Sequence, residues 1–420
     1  MSIRETKGLA IANQAKITRK DNLYLVPSQG GRGQYTVDAD AQRCSCPDFE
    51  YRRSACKHIF AVSIHIERTQ TVTTTTTQTE GGEATVTQTV QTETVKVKRV
   101  TYAQNWPSYN KAQTNEKSEF LALLHELCQG IEEPVQTFGR PRLPLADIIF
   151  GIVYRTYSTF SGRRFTSDLR DAFAKGYVSQ LPSYNSLFDY LKMESLTPYL
   201  KELITLSSLP LKSVESDFAV DSSGFSTCNY TRWFDVKYGD GDARNWIKLH
   251  LMCGVKTNIV SSVEVSRAYS NDYNYFQPLV DKTAQSGFKM AEVSADKAYL
   301  GNSNFKAALK HGAVPYIPFK TNSVENGNGA LWARIYHFYN FKREEFLTHY
   351  HKRSNVETTF SMIKAKFGER LRCKTTAAQI NEVLCKVLAH NLCVLIQSIY
   401  ELDVDATFRT ESPVVQKVAC

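Results

Sequence analysis

The sequence predicts an α/β protein in which a mixed β-sheet flanked by helices is preceded by a helical subdomain and a small zinc-binding module. Three observations support this prediction. Strand and helix patterns alternate after residue 213, apolar residues recur at helical spacing over residues 116–209, and three cysteines and a histidine lie close together near the N-terminus. At 420 residues the chain has room for two or three domains.

Changes in composition along the chain predict where the segments begin and end. Five segments follow from these changes: a zinc-binding module (1–68), a Thr-rich linker (69–115), a helical subdomain (116–212), an α/β domain (213–402) and a C-terminal tail (403–420).

Composition limits the classes of protein to which this chain can belong. Its longest apolar stretches, such as residues 145–153, fall far short of the ~20 residues that a membrane span needs, so no membrane segment is expected. The first residues lack the apolar core of a signal peptide, and we therefore expect the ten cysteines to lie in a reducing compartment. The formal net charge of +9 is too modest to indicate a nucleic-acid partner by itself.

The N-terminal module carries a cluster of soft metal ligands. Residues 23–26 and 34–37 have strand patterns, and residues 30–33 are glycine-rich and suit a hairpin turn between them. Two short motifs, Cys-x-Cys and Cys-x-His, then supply four ligands within fifteen residues, and an apolar, helix-like stretch follows them. The four ligands are Cys44, Cys46, Cys56 and His58. Three thiolates and an imidazole favour a structural Zn²⁺ over incidental cysteines, and Cys-x-Cys is too tight for the usual redox pair.

This pattern over residues 20–66 resembles the SWIM-type zinc finger. The resemblance implies a module that binds DNA or protein, and it leaves the choice between them open. Residues 69–101 contain fourteen threonines and few large apolar side chains, so a tether between domains is predicted there. A solvent-facing hairpin is the alternative, because Thr and Val alternate in parts of the segment.

The next segment has helical periodicity. Apolar residues from Ile148 to Phe160 recur at three- and four-residue steps until Gly162, and shorter helices are predicted over residues 166–175 and 183–193. Three helices with short turns suit a helix-turn-helix DNA reader, and equally a structural bundle. Both interpretations stay open.

The α/β segment contains two aspartates that follow predicted strands. Strands are predicted over residues 214–220, 246–255, 259–265, 289–295 and 313–318, with a helix over 304–310 and a buried covering helix over 383–399. Asp221 and Asp296 come directly after two of these strands, where open α/β sheets place their ligands. His250 and His390 are interpreted as core or surface groups.

A glutamate in a basic segment completes the candidate site. If the chain after residue 350 forms one α-helix, four polar side chains share a stripe roughly 60° wide. They are Tyr350, Arg353, Glu357 and Lys364. An exposed ion-pair stripe is the alternative, although a base preceding an acid is the weaker order for helix stability. Three carboxylates from Asp221, Asp296 and Glu357 suit a pair of Mg²⁺ ions that cut and join phosphodiesters.

The motif Tyr-x2-Arg-x3-Glu-x6-Lys, with the two aspartates upstream, resembles the DDE transposases of prokaryotic insertion sequences over residues 140–400. The similarity includes residues 246–250 and 295–299. It implies an RNase H-like fold and an enzyme that cleaves transposon ends and transfers strands into target DNA with Mg²⁺ (or Mn²⁺). The implied metal ligands are Asp221, Asp296 and Glu357, and the implied contacts to transposon-end DNA are Tyr350, Arg353 and Lys364.

The resemblance also implies partners. They are terminal inverted repeats, target DNA and a second copy of the chain on DNA, with a cytoplasmic, nucleoid-associated location if the source is prokaryotic. Only about thirty residues separate the last predicted strand from Tyr350, too few for the β-rich insertion domain of some relatives, so processing of the second DNA strand stays open. Two alternatives remain: a transposase-derived DNA-binding regulator without catalysis, and an RNase H-like nuclease without strand transfer.

Overall fold

The computed structural model divides the chain into two compact units, residues 1–102 and residues 103–420. The described residues are 3–15, 17–20, 23–28, 33–39, 41–52, 54–69, 105–136, 138–139, 141–227, 246–267, 270–320, 322–325 and 329–408. The predicted Thr-rich tether therefore lies outside the described residues except for Thr69, as does the end of the predicted C-terminal tail.

The described residues of the first unit form a small antiparallel sheet with three helices. Its elements are α1 (Ile3–Gln14), β1 (Thr18–Lys20), β2 (Leu23–Pro27), β3 (Gln34–Asp38), β4 (Arg43–Cys44), α2 (Pro47–Arg52) and α3 (Lys57–Thr69). The strands pair in the order β1-β2-β3-β4, and the predicted hairpin is present as β2 and β3, with Leu23 opposite Asp38. Val26, Val37 and Ile59 are buried between sheet and helices together with the three cysteines of the ligand cluster.

The second unit begins with five helices. They are α4 (Trp106–Gln129), α5 (Leu145–Ser158), α6 (Gly162–Ala174), α7 (Tyr184–Leu191) and α8 (Leu196–Ser208). Helix α4 starts at Trp106, inside the stretch that the sequence assigned to the linker, and the Asn105 side chain accepts from the Ser108 amide at its start. Helix α5 ends earlier than predicted because Thr159 takes a left-handed conformation (φ 59°), which leaves Phe160 outside the helix and 46% exposed.

A five-stranded mixed sheet follows. Its strands are β5 (Asp217–Ser226), β6 (Trp246–Gly254), β7 (Val260–Arg267), β8 (Glu292–Ala295) and β9 (Val314–Tyr316), in the order β7-β6-β5-β8-β9. The first three strands along the chain pair antiparallel, whereas β8 and β9 join on the other side of β5 in parallel. Parallel neighbours need a crossover, and helices supply it between β7 and β8 and between β8 and β9.

The remaining helices lie around this sheet. They are α9 (Phe276–Gln285), α10 (Asn302–Lys310), α11 (Ala330–Phe341), α12 (Arg343–Tyr350), α13 (Ser354–Phe367) and α14 (Thr376–Leu402). The mixed α/β sheet flanked by helices that the sequence predicts is thereby confirmed. Helices α9, α11 and α12 lie outside the predicted elements, although the buried residues of α9 recur at the i, i+3, i+4 and i+7 spacing of an amphipathic helix.

Alternation along β5 separates two cores. Phe218 and Val220 pack with α9, α10 and α11, whereas Ala219 and Phe225 pack with α5, α8, α13 and α14. Since side chains alternate across a strand, Asp221 has the same parity as Ala219 and Phe225 and belongs to the face covered by α13.

Helix α14 is the central helix of the core that contains Ala219 and Phe225. Among the described helices it is the one long and apolar enough to cross a membrane, yet 78% of its most apolar window is buried inside the protein. Its buried residues include Val383, Leu388 and His390, and His390 Nε2 lies 3.0 Å from the Asn258 carbonyl oxygen. His390 is therefore a core group, as interpreted from the sequence.

Candidate active site

The pairing of β5 with β8 brings two of the predicted acids together. Val220 is the Cα partner of Ala295 in this parallel register, so Asp221 and Asp296 are the next residues along each strand. The sequence placed Asp221 after the end of its strand, and that position is wrong. Strand β5 continues to Ser226 against β6, and it is only the shorter β8 that stops beside Asp221.

Asp221 is a mostly buried carboxylate with two fixed oxygens. Its Oδ1 accepts from the Ser222 amide at 2.8 Å, and its Oδ2 accepts from Arg353 Nη1 at 2.6 Å. Burial raises the pKa of Asp221 to about 6, and the charges of Asp296 and Glu357 add to that increase, while the Ser222 amide and Arg353 oppose it. These interactions show that the three acids lie within electrostatic reach of one another.

Arg353 connects two of the acids. Its guanidinium donates through Nη1 to Asp221 and through Nη2 to Glu357 Oε1, so a single positive charge lies between two carboxylates. Glu357 lies in the first turn of α13, where the helix dipole favours a negative side chain, and its side chain is 57% exposed. Asp296 begins a 3-10 turn, and its Oδ1 accepts from the Lys297 amide at 2.6 Å.

The segment that carries Arg353 is not the single α-helix assumed from the sequence. Helix α12 ends at Tyr350, a 3-10 turn covers His351–Arg353, and α13 begins at Ser354. The angular positions predicted for these side chains assume 100° per residue from Tyr350 onward. They are wrong across the turn, because a 3-10 turn advances about 120° per residue.

Three of the four side chains contact one another through Arg353, and Lys364 lies farther along α13, against β5. The Arg353 guanidinium carbon is 5.9 Å from the centre of the Tyr350 ring, and Lys364 Nζ is 5.3 Å from the centre of the Phe225 ring, four residues beyond Asp221 on β5. Lys364 Nζ also lies 3.5 Å from Glu369 Oε1. Burial raises the pKa of Tyr350, so its hydroxyl stays protonated at neutral pH and can donate a hydrogen bond.

The first unit holds the second candidate site. The ligand atoms of Cys44, Cys46, Cys56 and His58 all lie within 4.8 Å of one another, and all four residues are buried. His58 Nδ1 is 3.8 Å from Cys44 Sγ and 3.9 Å from Cys56 Sγ. In a tetrahedral zinc site with Zn–S near 2.3 Å and Zn–N near 2.0 Å, the ligand atoms are roughly 3.5–3.8 Å apart. The cluster therefore fits a tetrahedral Zn²⁺ with little movement.

The thiols also show the crowding that a metal ion would relieve. A hydrogen bond between Cys44 and Cys56 raises the pKa of the Cys44 thiol and lowers that of the Cys56 thiol, so one thiolate is stabilised at its neighbour's expense. Cys46 Sγ accepts from the Phe49 amide at 3.4 Å, and the Tyr35 ring lies 4.7 Å from the His58 ring. Amide donors and a packed ring hold these ligands in place.

Comparison with protein families now adds to this geometry. Residues 212–392 match the family model described as Transposase DDE domain, and residues 35–67 match the SWIM zinc finger. Residues 212–392 thus resemble a transposase DDE domain. The two matches confirm the two family resemblances seen in the sequence at the level of domains, and the DDE match confirms the predicted DNA transposase function.

Two solved structures resemble the chain weakly. The piggyBac transposase synaptic complex with hairpin DNA shares 12% identity over 74% of this chain and 82% of that chain, with a TM-score of 0.29. The Drosophila P element transposase strand transfer complex shares 13% identity over 67% of this chain and 71% of that chain, with a TM-score of 0.22. At such TM-scores neither structure carries an argument about this protein. Among curated proteins, none matches the sequence.

A polar group beside Ser222, on the face of β5 opposite to Asp221, carries no signal in the sequence. Asp272 opens a 3-10 turn before α9, and its Oδ1 accepts from Ser222 Oγ at 3.1 Å and lies 2.5 Å from Lys248 Nζ. The segment after β7 has no periodic pattern or motif spacing that would mark this residue. Its contacts become visible only once β5, β6 and the turn are folded together.

His250 lies beside this group and has the core character expected from the sequence. Its ring stacks on Tyr275 with centroids 3.9 Å apart, and Nε2 lies 2.8 Å from Ser266 Oγ. Burial lowers the pKa of His250 to about 4, so the imidazole is neutral at physiological pH. A neutral, stacked ring suits packing better than metal ligation at this position.

The acids of the DDE domain fit a hard divalent cation by their chemistry. Three carboxylates supply oxygen donors, the type that Mg²⁺ and Mn²⁺ prefer. Against their three negative charges the adjoining Arg353 supplies one positive charge, which leaves an excess near −2 around a carboxylate whose pKa is already raised. A divalent cation would neutralise that excess.

Proposed function

We propose that this chain is a metal-dependent DDE transposase of the prokaryotic insertion-sequence type, which cleaves the ends of its element and joins them to target DNA. The observation that carries the proposal is the convergence of three acids: Arg353 joins Asp221 of β5 to Glu357 of α13, and the β5–β8 register places Asp296 beside Asp221. The three residues would hold Mg²⁺ or Mn²⁺. When bound, paired ions of this kind activate an attacking oxygen and stabilise a leaving oxygen in phosphoryl transfer.

The chain's own residues account for the rest of the site. The Ser222 and Lys297 amides fix one oxygen of each aspartate and so orient the carboxylates. Arg353 balances the acids in the metal-free protein, and its planar fork also suits a phosphate. We propose that Tyr350, Arg353 and Lys364 contact transposon-end DNA. Two contacts support this role: Arg353 lies against the Tyr350 ring, and Lys364 lies against the Phe225 ring on β5, the strand that carries Asp221.

The zinc finger is proposed to hold structural Zn²⁺ through its three cysteines and His58. Four buried ligand atoms at nearly tetrahedral spacing support zinc, and the closed ligand set leaves no open position for catalysis. We propose that the module binds DNA or a protein partner, that the transposase acts on terminal repeats as a homodimer, and that a prokaryotic source would place it in the cytoplasm with the nucleoid.

The decisive test is cleavage of the element's own ends by the purified full chain with Mg²⁺. We expect wild type to nick the ends, and Asp221→Asn and Glu357→Gln to lose at least a thousandfold in rate while binding the ends within threefold of wild type. Asp281→Asn is the matched control. Asp281 is an acid of α9 paired with His311, away from the three acids, and its loss should leave the cleavage rate unchanged.

Three outcomes separate the competing functions. End binding without cleavage by the wild type would favour a transposase-derived regulator. Cleavage without joined products, in an assay with pre-cleaved ends and a target plasmid, would favour a nuclease. Wild-type cleavage by Asp221→Asn would remove Asp221 from the site. Mapping which strands are cut would also show how the second strand is processed.

A further inference from the structure

The 3-10 turn before α13 carries two adjacent cations that each join two carboxylates. Arg353 contacts Asp221 and Glu357, and Lys352 contacts another pair, Asp217 and Glu292. We propose that Lys352 is a positioning residue, which anchors the turn to the sheet so that Arg353 and Glu357 face Asp221. This inference rests on the proposed function and extends it to a residue at a variable position of the Tyr-x2-Arg-x3-Glu-x6-Lys motif, between Tyr350 and Arg353.

The contacts of Lys352 are short and doubly satisfied. Its Nζ donates to Asp217 Oδ2 at 2.7 Å and to Glu292 Oε2 at 2.7 Å. Burial disfavours the ammonium, but the hydrogen bonds and the negative charges of Asp217 and Glu292 together outweigh burial and raise the pKa of Lys352 above its ordinary value. Glu292 also lies 2.7 Å from His349 Nδ1, so one carboxylate contacts both α12 and the turn.

The register of the sheet explains why the neighbouring residues Lys352 and Arg353 contact different acids. Asp217 is the Cα partner of Glu292 at the start of the β5–β8 pairing, and Asp221 and Asp296 follow its end. The two acidic pairs are four residues apart along the strands, so they lie on the same face at a separation of about 13 Å. On the turn, Lys352 contacts both acids of the first pair, and Arg353 contacts Asp221 of the second pair.

The anchor matters because Arg353 cannot be a permanent tether. A cation that binds Asp221 and Glu357, or a phosphate that binds the guanidinium, would compete with the contacts that Arg353 makes in the metal-free protein. The contacts of Lys352 involve none of the three acids of the site. They would therefore keep the turn in place while Arg353 changes partner, which keeps Glu357 beside Asp221.

The test compares Lys352→Met with Lys352→Arg in the full chain and measures Mn²⁺ affinity by calorimetry, single-turnover cleavage at saturating end DNA, and end binding. We expect Lys352→Met to weaken Mn²⁺ binding and to slow cleavage by at least tenfold each, with end binding within threefold of wild type. Arginine can span two carboxylates, so Lys352→Arg should recover most of both losses.

A matched control comes from a lysine with the same exposure. Lys201 Nζ lies 2.6 Å from Glu264 Oε2 and its side chain is 31% exposed, as is that of Lys352. Lys201→Met removes an equally exposed ion pair away from the three acids. It should leave Mn²⁺ affinity and cleavage at wild-type values.

A triple variant separates positioning from stability. Lys352→Met leaves Asp217 and Glu292 unpaired, which alone can destabilise the fold. Combining Lys352→Met with Asp217→Asn and Glu292→Gln removes the charges together, so the melting temperature should return towards that of wild type. If Lys352 positions the site, the triple variant keeps weak Mn²⁺ binding and slow cleavage. If the triple variant regains both, Lys352 is merely structural and the inference is overturned.

The experiment distinguishes failure of the inference about Lys352 from failure of the proposed function. A wild-type chain that neither binds Mn²⁺ at the three acids nor cleaves DNA would refute the proposed function. A wild-type chain that does both, alongside a Lys352→Met variant with unchanged affinity and rate, would overturn only the inference about Lys352.

Discussion

Asp221 is a carboxylate that is easier to protonate in the folded metal-free protein than in the unfolded chain. Burial raises its pKa from 3.8 to about 6, and the two neighbouring acids reinforce the change. A raised acid pKa means that the folded state binds the extra proton. The stability it contributes is therefore present at low pH and is lost as the pH rises from about 4 to about 6.

Removing this charge should stabilise the metal-free protein at neutral pH. We expect Asp221→Asn to raise the free energy of unfolding by about 1–3 kcal/mol at pH 7.5, and the difference should shrink towards zero below pH 4. Urea unfolding followed by tryptophan fluorescence measures it, because all four tryptophans lie in the second unit.

Asp281 is a control acid whose pKa shifts in the direction opposite to that of Asp221. Burial opposes ionisation of Asp281, but the interactions with His311, Gln277 and Lys310 together outweigh burial and lower the pKa of Asp281. Asp281→Asn should therefore destabilise the protein at pH 7.5. A destabilising effect of Asp221→Asn at that pH would contradict the inference that the Asp221 carboxylate destabilises the metal-free protein.

Individual residues of the sites were predictable where a motif has fixed spacing. The zinc ligands and Glu357 are marked by short intervals along the chain. Lys352 and Asp272 were missed because their partners are distant in sequence: Lys352 contacts residues 135 and 60 positions away. Spacing along one segment carries no information about a contact made by sheet register.

At the scale of elements, apolar patterns located the centres of the strands and misplaced their ends. Strand β5 continues six residues beyond its predicted end at Val220, through Asp221 and Ser222, because pairing with β6 stabilises polar residues that alone do not favour a strand. The 3-10 turn at His351–Arg353 was invisible for the related reason that contacts with the sheet, not local propensity, select it. Tertiary pairing decided both cases.

Helix α14 offers a test of how one buried polar residue ties elements together. Asn391 Oδ1 accepts from the Val260 amide at 2.9 Å, and its Nδ2 donates to the Val260 carbonyl at 2.8 Å and to Ser207 Oγ at 3.0 Å. These bonds join α14 to β7 and α8. We expect Asn391→Ala to lower the free energy of unfolding by about 2–4 kcal/mol, since it leaves buried groups without partners.

The comparison for this prediction is Asn340→Ala in α11. Asn340 is an exposed helical asparagine that donates to the Tyr336 carbonyl at 3.0 Å, and its loss should change stability by less than about 0.5 kcal/mol. Equal effects from the two substitutions, measured by the same urea transitions, would show that the buried network contributes little.

At the scale of the whole molecule, the two units derive their stability from different sources. The second unit has two large hydrophobic cores, whereas the core of the first is small and includes the cysteines of the ligand cluster. A unit of that size usually depends on a metal or another cross-link. We expect Zn²⁺ to be the cross-link that stabilises the first unit.

Cys56→Ser should therefore abolish bound zinc and unfold residues 3–69 while leaving the tryptophan-detected midpoint of the second unit within error of wild type. Atomic absorption and far-ultraviolet circular dichroism measure the two effects. Cys373→Ser, outside the cluster, should retain one zinc per chain. A purified wild-type chain without zinc, or a Cys56→Ser chain with full helix content, would contradict this account.

The three acids come from elements spread over residues 221–357, so the site exists only after long-range pairing of β5 with β8 and docking of α13. Contacts so distant in sequence form late and slowly in folding. A chain interrupted during synthesis before residue 353 lacks Arg353 and Glu357 altogether. In the proposed mechanism, truncated copies therefore cannot assemble the three acids, and only a completed, folded chain acquires the ability to cut DNA.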